Sequence, residues 1–487
     1  LKSFSSMNHL PWTGVLCVVV FRVLQGISVR TYFDPDEYWQ AHEVAHFMVF
    51  GCGHLTWEWL PQWKVRGPSH PGVFAVLYQL LAWTGLDSQS AILLTPRIFQ
   101  SVLAALVDWS VWRIAMKLYG PSPARWALVC SLVNWFNGYC LVRPFSNSME
   151  AVLLAIALAG YVEGRPLVWW LLPGAASCVI RPTAAVVLVV PWAVEVWERG
   201  GILCTAALVV VCVAFSVAVD SVWYGELSWT HLSFIRLNVF EGASALYGVH
   251  HPVWYLTEGL PTVAHVLLPA VFFARWPQFR RGQALIVAAV GAVGVLSLNG
   301  HKEFRFLLPI VPVLSVLAGS GLAEFRIRWP RVSLWIVAIG VATNFGAWCY
   351  LGLVHQRAPV AALEWLAQKQ AESQDFSVDF LVGCHSAPYR SSLHVQQGCA
   401  ATRFLDCSPH AVNGTLTRNR TESSEFLADP EVFVANWGVA GRFVVTEKGH
   451  QKAVERGAGG SFVVAASFKN GMDGTDGLVI LERVGPN

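Results

Sequence analysis

The stretch TYFDPDEYWQAHE, residues Thr31 to Glu43, puts three carboxylates, Asp34, Asp36 and Glu37, into four positions. It follows a mostly apolar run, 9–29, of about the twenty residues needed to cross a bilayer. So much charge at the mouth of an apolar segment reads as a polar loop at a membrane face. Composition agrees: 54% of the 487 residues are hydrophobic and only 13% charged, with a mean hydropathy of +0.47. A soluble domain is nearer a quarter charged. The net charge of +3 gives no reason to expect a nucleic-acid partner, and what matters is where the cations fall.

Twelve stretches qualify as candidate spans: 9–29, 71–86, 93–118, 124–142, 148–163, 167–180, 183–197, 202–222, 261–275, 283–299, 305–323 and 332–353. The chain starts at Leu1 rather than Met, so an N-terminal piece is expected to be missing, and the first segment shows no clear cleavage site. Two basic connections, with Arg275, Arg280 and Arg281 in one and Arg326, Arg328 and Arg331 in the other, lie two crossings apart. Positive-inside makes their side cytosolic, so the connection holding His301 to Arg305, and everything after the last span, is expected to be lumenal. Twelve crossings from a cytosolic start would return the C-terminus to the cytosol. One segment should therefore be re-entrant, half-length or split, and the short pair 167–180 and 183–197 is the suspect.

The expected division is a transmembrane catalytic domain, 1–354, with lumenal loops 30–70 and 223–260, followed by a lumenal soluble domain, 355–487. The tail's alternating runs FVVAASF and GLVILERV read as strands. It holds sequons at Asn413 and Asn419, in keeping with a lumenal side. Seven of the 11 cysteines sit in apolar runs as small buried hydrophobes. The other four are Cys52, Cys384, Cys399 and Cys407, and the three in the tail are expected to make one disulfide and leave one thiol.

Four polar constellations stand on the expected lumenal side. In DPDE, Asp34 suits an N-cap, Pro35 the first helical position and Glu37 a capping box. These rules leave Asp36 with only a helix-dipole role. The following helix, expected to end near Phe50, places His42 and His46 four apart, but no third metal ligand stands at a fixed spacing. Residues 56–75 crowd Trp57, Trp59 and Trp63 with Glu58, Lys64, Arg66 and His70, as an aromatic belt with snorkelling cations or as a sugar-stacking platform. In LVRPFSNSMEA, 141–151, Arg143, Asn147 and Glu150 are spaced to share a helical face, as a structural ion pair or as a functional site. In NGHKEFRFLLPIVP, 299–312, His301, Lys302, Glu303 and Arg305 form a cluster suited to an anionic lipid phosphate.

A carboxylate base and a phosphate-binding cluster on one side of a polytopic scaffold suit glycosyl transfer from a lipid-linked phospho-sugar. The acceptor hydroxyl must lose a proton as it attacks, and the departing phosphate must be stabilised. Single displacement inverts the anomeric centre, and no metal is required. A transporter would show internal repeats, and none is visible.

With FDPDEYWQAHEVAHFMVFGCGHLTWEW, the SHP at Ser69–Pro71, RPFSNSMEA and HKEFRFLLPI, nearly the whole chain resembles family 22 of the glycosyltransferases. These are type C membrane mannosyltransferases. FLVGCHSAPYRSSLH, 380–394, and TRFLDCSP, 402–409, are similar to the branch acting in GPI-anchor assembly rather than to its N-glycan relatives. The resemblance implies a polytopic α-helical fold of about 11–13 spans with a C-terminal lumenal mixed α/β domain. It implies an endoplasmic reticulum enzyme that adds the third mannose, α1,2-linked, to the GPI precursor from dolichyl-phosphate-mannose, with membrane lipids around it and no cofactor. An N-glycan-precursor mannosyltransferase is the alternative. Asp36 falls where the family's base is expected, with Glu37 and Asp34 beside it. His301, Lys302 and Arg305 fall where the donor phosphate should bind. His70, Arg66, Arg143, Asn147, Glu150 and Glu303 are further substrate-site candidates.

Overall fold

The computed structural model describes residues 11–373, 375–396, 398–412, 415–417, 420–472 and 477–484. The sequon asparagines Asn413 and Asn419 lie outside them. Contacts group the chain into two compact units: Leu1–Ile27 with Arg97–Trp348, and Ser28–Pro96 with Cys349–Asn487. This grouping cuts across a division at residue 354, because the acidic loop and the helix after it pack with the C-terminal part of the chain.

The first unit is helical. Among the described residues of the whole chain, Gln89–Tyr119, Ile202–Tyr224, Arg280–Leu298 and Pro330–Leu353 are long and apolar enough to cross a membrane. The suspected short pair forms two separate helices, Leu167–Ile180 and Ala185–Arg199, joined by a turn at Arg181–Ala184. At 14 and 15 residues both are short for a crossing, in keeping with the suspicion of half-length segments, and a further break lies elsewhere. Residues 261–275 break into Leu260–Ala264 and Leu267–Val271 about His265, whose φ of 46° takes the chain out of helical geometry.

Two features hold this unit. Val311–Arg328 lies against Pro121–Val133, with Gly319 so close to the Ala127 backbone that a Cβ would overlap it. Arg22, in the apolar helix Trp12–Ser28, is fully buried and grips fully buried Asp108 through two 2.7 Å bonds. Its guanidinium also donates to Gln25 and to the Ser131 carbonyl.

The basic connections meet at one end of this unit. Arg281 pairs with Glu195 at 2.6 Å and donates to the Tyr161 carbonyl, Arg113 pairs with Glu163, and Arg275 pairs with Glu324. The 19-residue helix Arg280–Leu298 then carries the chain about 28 Å to His301, and Val311–Arg328 returns it. The basic loops and the HKEFR segment thus occupy opposite ends, as expected.

The second unit contains a five-stranded mixed sheet in the order Ala401–Phe404, Ser377–Leu381, Phe443–Glu447, Gly477–Arg483, Phe462–Lys469. The first three strands are parallel, and the last two pairings are antiparallel. Alternate side chains build two cores. Val378, Phe380, Val445 and Ile480 pack with Tyr38, Trp39 and the helix Ala358–Glu372. Leu381, Val444, Val479 and Leu481 pack with Phe426, Val434 and Val454.

Both expected strands are present. The tail has the one internal disulfide expected, Cys384–Cys407, but its third cysteine is no free thiol: Cys399 bonds Cys52, and the Cα separations are 5.9 and 5.7 Å. Cys52 follows the left-handed Gly51 that ends the helix Glu43–Phe50, a turn that presents it to the tail.

Candidate active site

In the second unit, Asp34 caps a short helix, its Oδ1 accepting from the Asp36 amide at 2.9 Å, and Pro35 takes the first helical position. A π-helical turn, Tyr38–His42, joins this start to Glu43–Phe50. The three carboxylates then part company. Asp34 is committed to the cap and Glu37 is fully buried. Asp36 keeps 16% of its side chain exposed, with Oδ2 3.8 Å from Arg66. Arg66 is shared with Glu58 at 3.2 Å, and Glu58 accepts from Gln40 at 2.6 Å. Gln40 in turn accepts from the Trp59 indole at 2.5 Å. Trp57 and Trp59 are therefore buried members of the loop, not belt residues in contact with lipid.

The rest of this helix is fastened by the tail. Trp39 stacks on Tyr389 at 5.2 Å and donates to the Ala387 carbonyl at 2.9 Å. Fully buried Glu43 accepts from the Ser391 amide at 2.7 Å and the His54 amide at 3.0 Å. Burial pushes its carboxyl up to about 7, against the pull of those amides. His42 and His46 do not converge: His42 bonds the Tyr78 hydroxyl at 2.9 Å, and His46 bonds His394 at 2.7 Å and the Cys52 carbonyl. Burial lowers His46 and His54 to about 4. His70 opens the helix Ser69–Thr84 and stands edge-on to Phe74 at 5.2 Å.

In the first unit, two of the quoted motifs meet. Arg143 does not share a helical face with Asn147 and Glu150. Pro144 interrupts the backbone, and the helix starts only at Ser146. Arg143 is fully buried over the Tyr139 ring at 4.5 Å, with Nε donating to the Tyr139 carbonyl. Glu150 pairs instead with Arg181 at 3.0 Å and accepts from Thr183 at 3.0 Å. Arg181 also donates to Ser146 at 3.1 Å. The Arg305 guanidinium carbon lies 5.8 Å from the Phe145 ring centroid and 5.8 Å from that of Phe306; that of Arg181 lies 5.6 Å from Phe306.

Glu303 holds this cluster. Arg305 forks onto it, and His301 Nε2 lies 2.7 Å away. Burial would raise the Glu303 carboxyl, but the Arg305 charge and these hydrogen bonds keep it well below the usual range. Lys302, 3% exposed, donates to the carbonyls of Asn299 and His250. Asn147 is 1% exposed, and neither its amide nitrogen nor its oxygen has a hydrogen-bond partner among the described residues.

Sequence reasoning missed Arg181 and Gln40, and placed Glu58 in its constellation without a partner. Arg181 carried a readable signal: it is the single charged residue between two half-length apolar segments, where a charge is costly unless used. The pairing of Gln40 with Glu58 carried none, since it depends on the fold of the loop.

A helical membrane scaffold with a small mixed sheet is the type C glycosyltransferase fold, and solved structures bear this out. ArnT from Cupriavidus metallidurans bound to undecaprenyl phosphate matches with a TM-score of 0.61 at 14% identity, over 97% of this chain and 98% of that one. The oligosaccharyltransferase of Archaeoglobus fulgidus matches at 0.51 and 11% identity, over 95% and 72%. Residues 13–394 match the Alg9-like mannosyltransferase family, and the chain belongs to it. It is thus a membrane-embedded glycosyltransferase that transfers mannose.

Among curated relatives, mannosyltransferase APTG1 of Arabidopsis thaliana is 31% identical over 96% of this chain and 89% of its own length. GPI mannosyltransferase 3 of Yarrowia lipolytica is 34% identical over 87% and 83%. GPI alpha-1,2-mannosyltransferase 3 of Mus musculus is 33% identical over 87% and 77%.

Proposed function

We propose that this protein adds the third mannose, α1,2-linked, to the GPI-anchor precursor, using dolichyl-phosphate-mannose in the endoplasmic reticulum membrane with its reacting groups on the lumenal side. The observation that carries this reading is its likeness, at 33–34% identity over most of both chains, to relatives named for that reaction. The acceptor's hydroxyl oxygen attacks C1 of the β-linked mannose, and the C1–O bond to phosphate breaks. The electron pair leaves with the lipid phosphate, and the proton passes to Asp36. Inversion gives the α product. Asp36 suits the base because it alone of the three loop carboxylates is neither a cap nor fully buried. His301, Lys302 and Arg305 bind the donor phosphate, and the charges of Lys302 and Arg305 take the place of a divalent metal. His70, Arg66, Arg143, Asn147, Glu150 and Glu303 shape the substrate sites. Residues 355–487 form the lumenal domain.

The test is a transfer assay with dolichyl-phosphate-mannose and defined GPI acceptors carrying one, two or three mannoses. Mannose should pass only to the two-mannose acceptor. Transfer to a lipid-linked oligosaccharide, with none to any GPI acceptor, would overturn the reading in favour of the N-glycan branch.

A further inference from the structure

We infer that Glu58 is a positioning residue for Asp36, acting through Arg66 and itself held by Gln40; this rests on the reading of Asp36 as the base. The four side chains close a ring. Arg66 Nη2 lies 3.8 Å from Asp36 Oδ2 and 3.2 Å from Glu58 Oε1. Arg66 Nε donates to the same Glu58 oxygen at 3.2 Å. Glu58 Oε2 accepts from the Gln40 amide at 2.6 Å. Gln40 stands four residues beyond Asp36 on one helical run, so the ring returns to the element from which it starts.

Both halves of this ring are braced from behind. After the turn Trp57–Trp59 the chain reverses at Lys64, whose φ is 48°, and Trp63 stands edge-on to Trp57 at 5.5 Å. The reversal lets the Val65 and Arg66 amides donate to the Glu58 carbonyl at 2.9 and 3.3 Å. Glu58 therefore holds Arg66 by main chain and side chain together. The Gln40 amide is fixed at both ends, its nitrogen on Glu58 and its oxygen on the Trp59 indole at 2.5 Å. Exposure separates a front from a back: 23% of the Arg66 side chain and 16% of that of Asp36 remain open, against 9% for Glu58. Substrate can reach the first two, while Glu58 stands behind them. Ion pairs near the surface add little stability, so the arrangement is better explained by what it orients. A carboxylate that must meet an acceptor hydroxyl has to be held within about 0.5 Å of its working place. A misplacement of about 1 Å lowers the rate about 100-fold, and binding of a donor gripped by other residues does not share that loss.

The experiment measures kcat and the donor KM of the purified full chain in nanodiscs, with dolichyl-phosphate-mannose and the two-mannose GPI acceptor, and follows melting temperature alongside. Glu58→Gln should lower kcat about 10–100-fold and leave the donor KM within about twofold of wild type. A kcat within about twofold of wild type, or a donor KM raised beyond that margin, would overturn the assignment. Should Glu58→Gln melt too low to assay, Gln40→Met loosens the same carboxylate from its other side. It should lower kcat about 3–10-fold with the donor KM kept, and wild-type kcat there ends the inference. Asp36→Asn in the same assay separates this inference from the reading beneath it. Near-normal transfer in Asp36→Asn defeats that reading; transfer lost there but kept in Glu58→Gln defeats the inference alone.

Discussion

Asp36 and Glu43 lie seven residues apart on one helical run, and their surroundings give them opposite tasks. Asp36 is partly exposed beside Arg66, so it stays reachable. Asp36→Asn keeps the helix start, because the cap belongs to Asp34, and removes the proton acceptor. Transfer should fall about 10²–10⁴-fold while donor binding is retained. Turnover and donor affinity measured on the purified variant check this, and near-normal transfer would remove Asp36 from the mechanism. Glu43 is sealed, and its carboxyl is raised from 4.5 to about 7. The folded state therefore holds a proton the unfolded chain would release. The associated stability, roughly 3 kcal/mol by the size of the shift, is present below pH 4.5 and is lost as pH rises through 7. His46 and His54, lowered to about 4, run the other way, adding stability as pH rises from 4 to 6.5. The clean readout is thus the difference between wild type and Glu43→Gln: the melting advantage of the wild type should shrink from pH 4.5 to pH 8. A constant difference would show that Glu43 does not titrate in this window. Local rules made Asp34 and Pro35 legible in the sequence. The burial of Glu43 was not, because it depends on amides 11 and 348 residues away.

Helices show a second limit of legibility. Hydropathy located nearly every apolar segment, since a run of apolar residues is a property of the run itself. It missed a second break. The pair at 167–197 lost length to Arg181-Pro182 but kept two intact helices, whereas 261–275 looked continuous and split at His265. It also gave no hint that Arg22, inside an apolar helix, has a buried counterion. Asp108 sits on the helix Gln89–Tyr119, 86 residues on, and also accepts from the Ser131 hydroxyl at 2.7 Å. With both partners fully buried, Asp108→Ala should destabilise the first unit by about 3–5 kcal/mol, because it strands a buried guanidinium. Thermal unfolding in detergent measures this. An unchanged midpoint would mean that water or lipid already reaches Arg22. Replacing both partners with apolar residues of similar size should cost much less.

At the scale of the whole molecule, the order of the chain and the order of its contacts disagree. Family motifs were legible because they are contiguous: FDPDE, RPFSNSMEA and HKEFRF each announce a chemistry within a few residues. The grouping of Ser28–Pro96 with Cys349–Asn487 was not, since nothing local records that Cys52 will find Cys399. Losing this link through Cys52→Ser/Cys399→Ser should cost about 2–5 kcal/mol, seen as earlier melting and faster proteolysis between residues 35 and 55. Wild-type behaviour in both assays would show that packing alone holds the loop. The 347-residue separation also sets a clock. At roughly 5–20 residues per second, the ribosome makes Cys399 roughly 20–70 s after Cys52. For nearly all of that interval Trp39, Glu43 and His46 lack Tyr389, Ser391 and His394, the groups that fix them. The loop carrying Asp36 is made early but finished late, so a nascent chain cannot set its acidic loop until residues 389–399 have been made, and one cut short before them never does.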